Sequence, residues 1–247
     1  MEGCFEESTL GPSLPRFEKE HGKSEAEIRR RILQAIFEMR LPPGERLTEE
    51  QLAETFDVSR TVVRQAIARL AQDGILVKMP NVGTTVAAPT RKETRDILAV
   101  RKMVEPDIVR VLAGARAGNG LDRLHAHLAK EAAARNRSDR GTLVRLTGEF
   151  HLLLAEVSGN QVLARLMTGL QTLTCLAILL YAEQDEACPP DEHSRIVDAI
   201  AEGDGERAAA EMLQHLHHVE LDLHLDLPEI SSPFSDTIAW LRGNSAG

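Results

Sequence analysis

Four side chains with base- or phosphate-binding chemistry cluster at the start of one helical pattern: Ser59, Arg60, Thr61 and Arg64. Residues four apart share a helix face, so the two arginines project together. A guanidinium presented that way bridges guanine O6 and N7 or clamps a phosphate. The hydroxyls of Ser59 and Thr61, with the unpaired amides of the helix start, suit a phosphate oxygen. A second set is built from imidazoles. His151 follows Glu149-Phe150, His193 follows Asp191-Glu192, and His215 closes the run Glu211-Met212-Leu213-Gln214. Neutral histidine is the commonest ligand for divalent transition metals, and the helices of a bundle can bring three to one point. Read alone, each of these histidines fits a surface or hydrogen-bonded role better than a metal site, and His217, His218 and His224 crowd the same stretch as His215. Arg101 stands four residues before Glu105, a spacing that reads as a surface ion pair.

The elements that must position these groups are short and well punctuated. Ser24 and Glu27 read as a capping box for a first helix carrying Ile28, Ile32, Leu33, Ile36 and Phe37, which ends before Leu41-Pro42-Pro43-Gly44. Thr48 caps a second helix with Leu52, Ala53 and Phe56. After a turn at Asp57-Val58, Ser59 caps a third, with Val62, Val63, Ala66, Ile67 and Leu70 inward, and Gly74 stops it. Residues 75–78 and 84–87 read as a hairpin with Pro80-Asn81-Val82-Gly83 at its tip. No bulky side chain stands beside Gly83 and Thr84, so the backbone there suits a sugar-phosphate edge. Two helices, a tight turn and a wing make a winged helix-turn-helix, in which the N-terminal turns of the second helix reach base edges. The bland alternative is a small helical subdomain with solvated arginines.

Pro89 reads as a hinge, and beyond it helical patterns cover 93–117, 120–136, 139–158, 160–182, 189–202 and 205–226. The expected fold is mainly α: an N-terminal winged helix-turn-helix with a small β-hairpin wing, then an all-α antiparallel helical bundle. The expected division is a flexible tail at 1–22, the DNA-binding domain at 23–89, the bundle at 90–230 and a C-terminal tail at 231–247.

Composition fits that plan. Hydrophobic residues are 43% of the chain but aromatic ones only 3%, as expected where aliphatic helix-on-helix packing fills the interior. No wholly apolar run approaches the roughly 18 residues that would span a bilayer, so no membrane partner is expected. The N-terminus is acidic and broken by Pro12 and Pro15, unlike a targeting peptide. Three scattered cysteines (Cys4, Cys175, Cys188) offer no disulfide framework, and the expected compartment is the cytoplasm. A net charge of −9 argues at first sight against nucleic acid. Residues 23–89, however, carry ten basic and nine acidic groups, while 1–22 and 90–247 carry −3 and −7. Affinity through phosphate neutralisation is then modest per protomer and steeply salt dependent, which points to a homodimer.

Over residues 24–88 the sequence resembles the GntR superfamily of bacterial transcription regulators, through LPPGERLTEEQLAETFDVSRTVVRQAIARLAQDGIL and the glycine of the wing. The resemblance implies that Arg60 and Arg64 carry much of the operator contact, with Thr61 and Gly83 nearby. Asp57 stands where the family usually has glycine, and Glu50 where some relatives place a basic residue. Residues 93–226 resemble the FCD ligand-binding domain of the FadR-like branch through VRKMVEP, EFHLLLAEVSGN, EHSRIVDAI and AAAEMLQHL. That resemblance implies a divalent transition metal, zinc or similar, on His151, His193 and His215, and an Arg101 that points into a cavity to meet an anionic effector. A carboxylate one turn before the first histidine usually completes the ligand set; here that position is Thr147.

The function expected is a non-enzymatic, DNA-binding transcriptional regulator, a repressor that binds a palindromic operator as a homodimer and responds to a small organic acid in the bundle. Two rivals are a metal-dependent enzyme using the histidine trio and a regulator whose bundle only dimerises. The sequence has no HExxH, no GxSxG and no positioned general base.

Overall fold

The computed structural model describes residues 21–79, 83–115, 120–182 and 191–226. The expected tails and the wing-tip residues Pro80, Asn81 and Val82 lie outside the described residues. The first unit is built from α1 (His21–Phe37), β1 (Arg46–Leu47), α2 (Glu49–Phe56), α3 (Arg60–Gln72), β2 (Leu76–Met79) and β3 (Gly83–Val86). Thr48 and Ser59 accept from the amides of Gln51 and Val62, so the expected caps of α2 and α3 are the ones used. Ser24, the expected start, lies inside α1, which already runs from His21, and Glu27 turns to Arg30 and Arg31.

Asp57 closes α2 in the left-handed region at φ 48 and ψ 50, a conformation that glycine adopts with less strain. The wing gains a strand that the sequence does not announce. Its sheet runs β1-β3-β2, all antiparallel, with Leu47 opposite Thr84 and Lys78 opposite Thr84 on the other side. Ile28, Ile32 and Ile36 of α1 pack on Val63, Ala66, Ile67 and Leu70 of α3, and Ile75, Leu76 and Val86 close the same core.

The second unit holds α4 (Arg91–Gly114), α5 (Gly120–Asn136), α6 (Arg140–Val157), α7 (Gln161–Tyr181), α8 (Glu192–Glu202) and α9 (Gly205–Asp222). Thr90 and Glu93 form a reciprocal capping box at the start of α4. The bundle core gathers Ile108, Val109, Leu112, Phe150, Leu154, Met167, Ile196, Ile200, Met212 and Leu216 from five helices.

Among the described helices, α7 alone is long and apolar enough to cross a membrane by length and composition. Its apolarity has a packing cause. Met167 is buried in the bundle core, whereas Leu176 is buried in the core of the first unit, with Leu173 and Leu179 packed beside it. At the end of α1, Phe37 presses on α6: a Cβ added to Gly148 would stand 3.2 Å from the Phe37 ring. The two units are therefore joined through packed side chains as well as through the chain at Pro89, whose carbonyl accepts from the Tyr181 hydroxyl at 2.8 Å.

Candidate functional site

In the first unit the structure brings Ser59, Arg60, Thr61 and Arg64 to an exposed helix start. Both arginines are held by acids of the preceding helix. Arg60 Nη2 donates to Glu50 Oε1 at 2.7 Å and Arg64 Nη2 to Glu49 Oε2 at 2.9 Å. These pairs are solvent-exposed and individually weak, so they orient the guanidiniums without locking them. Gly83 is exposed with φ +105, where a Cβ would be strained. Thr84 differs from expectation: it is buried in the central strand between β1 and β2, with its side chain inside.

The second site lies in the bundle. His151 from α6, His193 from α8 and His215 from α9 are all buried, and one ligand atom from each lies within 4.8 Å of the others. His215 Nε2 is 3.2 Å from His151 Nε2 and 3.4 Å from His193 Nε2. On the far side of each ring sits a buried carboxylate. His151 Nδ1 is 2.5 Å from Glu105, His193 Nδ1 is 3.0 Å from Glu131, and His215 Nδ1 is 2.7 Å from Glu192. His218 holds the other oxygen of Glu192.

Ionised carboxylates only accept, so each Nδ1 carries a ring proton, and the Nε2 atoms of His151 and His193 both face that of His215. Three nitrogens bound at about 2.0–2.1 Å around a tetrahedral ion stand about 3.3 Å apart, which matches the 3.2 and 3.4 Å separations at His215. The second-sphere carboxylates fix tautomer and ring orientation as metal sites require. The carboxylates are themselves held in place: Glu105 by Arg101, Glu131 by His127 and Glu192 by His218.

The titration behaviour follows from burial and pairing. Desolvation holds His151 down to about 3 and His215 down to about 4, keeping both neutral and ready to bind a metal. Burial pushes Glu105 up, but Arg101 and His151 outweigh it and hold the carboxyl well below the usual range. Burial raises Glu131 and Glu192 too, but their histidine partners outweigh it and hold both at about 2.

Arg101 is not the surface residue its spacing suggested. It is 1% exposed and its Nε donates to Glu105 Oε1 at 2.5 Å, so Glu105 bridges the arginine and His151. Its Nη2 is buried without a hydrogen-bond partner, and the residue lines a cavity of about 70 Å³ together with His151 and His215. Thr147 lines the same cavity, its hydroxyl donating to the Val144 carbonyl. It supplies no charge, and Glu149 points elsewhere, to Arg145.

Sequence reasoning missed Glu131 and the buried role of Glu105 and Glu192. These acids stand 62, 46 and 23 residues from the histidines they hold, a separation no local pattern crosses.

Comparison with known proteins agrees with the two-part architecture. Residues 24–86 match the model for bacterial regulatory proteins of the gntR family, and residues 96–218 match the FCD domain. The chain is 30% identical over 186 residues to the HTH-type transcriptional regulator YdhC of Bacillus subtilis, covering 74% of this chain and 83% of that protein. It is also 30% identical to the HTH-type transcriptional regulator LutR of Bacillus subtilis, over 73% of this chain and 92% of the relative. A putative GntR transcriptional regulator from Rhodococcus sp. RHA1 shares the fold, with a TM-score of 0.72, 23% identity and coverage of 81% of this chain and 97% of that one.

Proposed function

Since the chain belongs to the gntR family of bacterial regulatory proteins with an FCD domain, and is a transcription regulator rather than an enzyme, we propose that it is a cytoplasmic, ligand-responsive repressor that binds a palindromic operator as a homodimer. The observation that carries responsiveness is the double duty of α7. Gln171, Thr174, Cys175 and Ile178 line the cavity, while Leu176 of the same helix sits in the core of the DNA-binding head. A ligand that favours one arrangement of that helix changes the head it packs on, and only such unequal binding makes an effector.

In this reading Arg60 and Arg64 contact bases or phosphates, Ser59 and Thr61 hold a phosphate at the helix start, and the Gly83 backbone approaches the strand edge. Thr84 supports the wing from inside. The histidine trio holds a divalent transition ion, zinc or similar, and the Arg101 guanidinium takes the effector carboxylate next to it. When bound, the ion would supply a Lewis-acidic point beside Arg101 for an anionic ligand. Without it, three imidazole nitrogens crowd one another at the centre of the bundle. Dimer formation is supported by the exposed Val100, Met103 and Val111 along α4, and by the need for two heads to cover a palindrome.

Selection of binding sites from random duplexes tests the reading. It expects an inverted repeat bound by two protomers and at least tenfold weaker binding for Arg64→Ala. A sequence-independent binder, or a variant that binds as well as the natural chain, would overturn it.

A further inference from the structure

The cavity carries a second orphaned polar group, and its sign differs from that of Arg101. Gln171 is 3% exposed, and its Oε1 is buried without a hydrogen-bond partner, while its Nε2 faces Cys175 Sγ at 3.8 Å. Two further lining residues bring hydroxyls whose protons are already used. The hydroxyl protons of Thr147 and Thr174 are spent on the carbonyls of Val144 and Leu170, leaving lone pairs for the cavity. The residues lining the cavity thus combine a cationic donor, Arg101, with uncharged acceptors on Gln171, Thr147 and Thr174 and with the carboxylate of Asp222.

A buried acceptor left unsatisfied costs more than one that is paired, so the wall favours a ligand that brings a donor to it. Size narrows the ligand further. A cavity of about 70 Å³ has room for roughly five to seven water-sized positions. That is the bulk of a three- or four-carbon acid.

We infer that Gln171 is a specificity-determining residue of this cavity, selecting a short monocarboxylate that also carries a hydrogen-bond donor, a hydroxyl or an ammonium group, over one that carries none. The inference rests on the reading of the cavity as an effector site. In it the carboxylate meets Arg101 and the donor meets Gln171 Oε1. Gly148 keeps the amide in place, because a Cβ there would stand 3.1 Å from Gln171 Nε2 and 3.2 Å from Cys175 Sγ. A keto acid of the same size presents an acceptor to an acceptor and is rejected along with the unsubstituted acid. This is the asymmetry expected of a site built around a polar partner.

The test is calorimetric titration of the full-length, zinc-loaded protein with propionate, 2-hydroxypropionate, 3-hydroxypropionate, alanine and 2-oxopropionate. The natural chain should bind at least one hydroxy or amino acid tenfold or more tighter than both propionate and 2-oxopropionate. The ratio between the donor-bearing acid and propionate should collapse to within about threefold in Gln171→Met, a ratio that a general loss of packing would not move. Equal affinity for propionate and the donor-bearing acids in the natural chain would overturn the inference, as would a preference that survives in Gln171→Met. The first comparison needs no variant and stands even if Gln171→Met fails to fold. Arg101→Met separates the two levels. If it abolishes binding of every acid while no donor preference is seen, the effector reading survives and the role of Gln171 falls. If none of the acids binds the natural chain, both fall.

Discussion

Replacing Leu176 by alanine should loosen the DNA-binding head although the residue belongs to the helical bundle. Leu176 is fully buried among side chains of α1, α3 and the wing strands. Leucine to alanine removes apolar groups worth roughly 2 kcal/mol by transfer. A cavity that only partly closes adds further cost, and buried Leu→Ala changes elsewhere span about 2.7–5 kcal/mol. A cost of about 3 kcal/mol is expected here, since the neighbours come from several elements that cannot all collapse inward. Hydrogen exchange read segment by segment is the assay. In the limit where exchange follows opening equilibria, 3 kcal/mol raises exchange of the most protected amides of α3, Val63 to Leu70, by about a hundredfold. Increased exchange confined to α6 and α7, with α3 protected as before, would refute the claim that α7 is part of the head's core.

Three further outcomes follow from the same structure. The metal-stripped protein should lose stability as pH falls below about 6.5. His151 and His215 stay neutral when folded but take up protons when unfolded, so the unfolded state binds more protons across that window, and Glu131 and Glu192 add to the loss below about 4.5; a melting midpoint flat between about pH 7 and pH 5 would contradict this. Glu49→Gln with Glu50→Gln frees Arg64 and Arg60 and removes two negative charges beside the phosphates. Operator binding by anisotropy should tighten about three- to tenfold at low salt and less at high salt, and unchanged or weaker binding would count against it. Asp57→Gly should raise the urea midpoint by an amount worth about 0.5–1 kcal/mol, because the residue sits at φ 48; a lower midpoint would show that the contacts of Asp57 outweigh its strain.

Two caps and two apolar faces are legible because their causes are local, although the Ser24–Glu27 pattern does not mark the start of α1. The hydroxyls of Thr48 and Ser59 satisfy amides three residues on, and the apolar faces of α1 and α3 meet as their spacing requires. Strand β1 escaped because two residues have no periodicity, and its partners in β3 lie nearly forty residues away. Thr84 was misplaced for the same reason: a hairpin with one neighbour leaves it exposed, whereas a third strand buries it. Arg101 and Glu105 show the limit most clearly. Their four-residue spacing is identical on a surface and in a core, and only the packing of α6, α8 and α9 around α4 decides between them. The histidine trio came from resemblance rather than spacing, and the acids that orient it came from the fold alone.

The central claim is that occupation of the bundle cavity alters DNA binding. Anisotropy titration of a labelled operator with zinc-loaded protein, across short carboxylic acids at saturating concentration, addresses it directly. At least one acid should shift the operator Kd fivefold or more in the natural chain, the lower end of ordinary allosteric coupling, and no acid should do so in Arg101→Met. An operator Kd that stays within twofold for every acid, although calorimetry shows the cavity filled, would contradict the account.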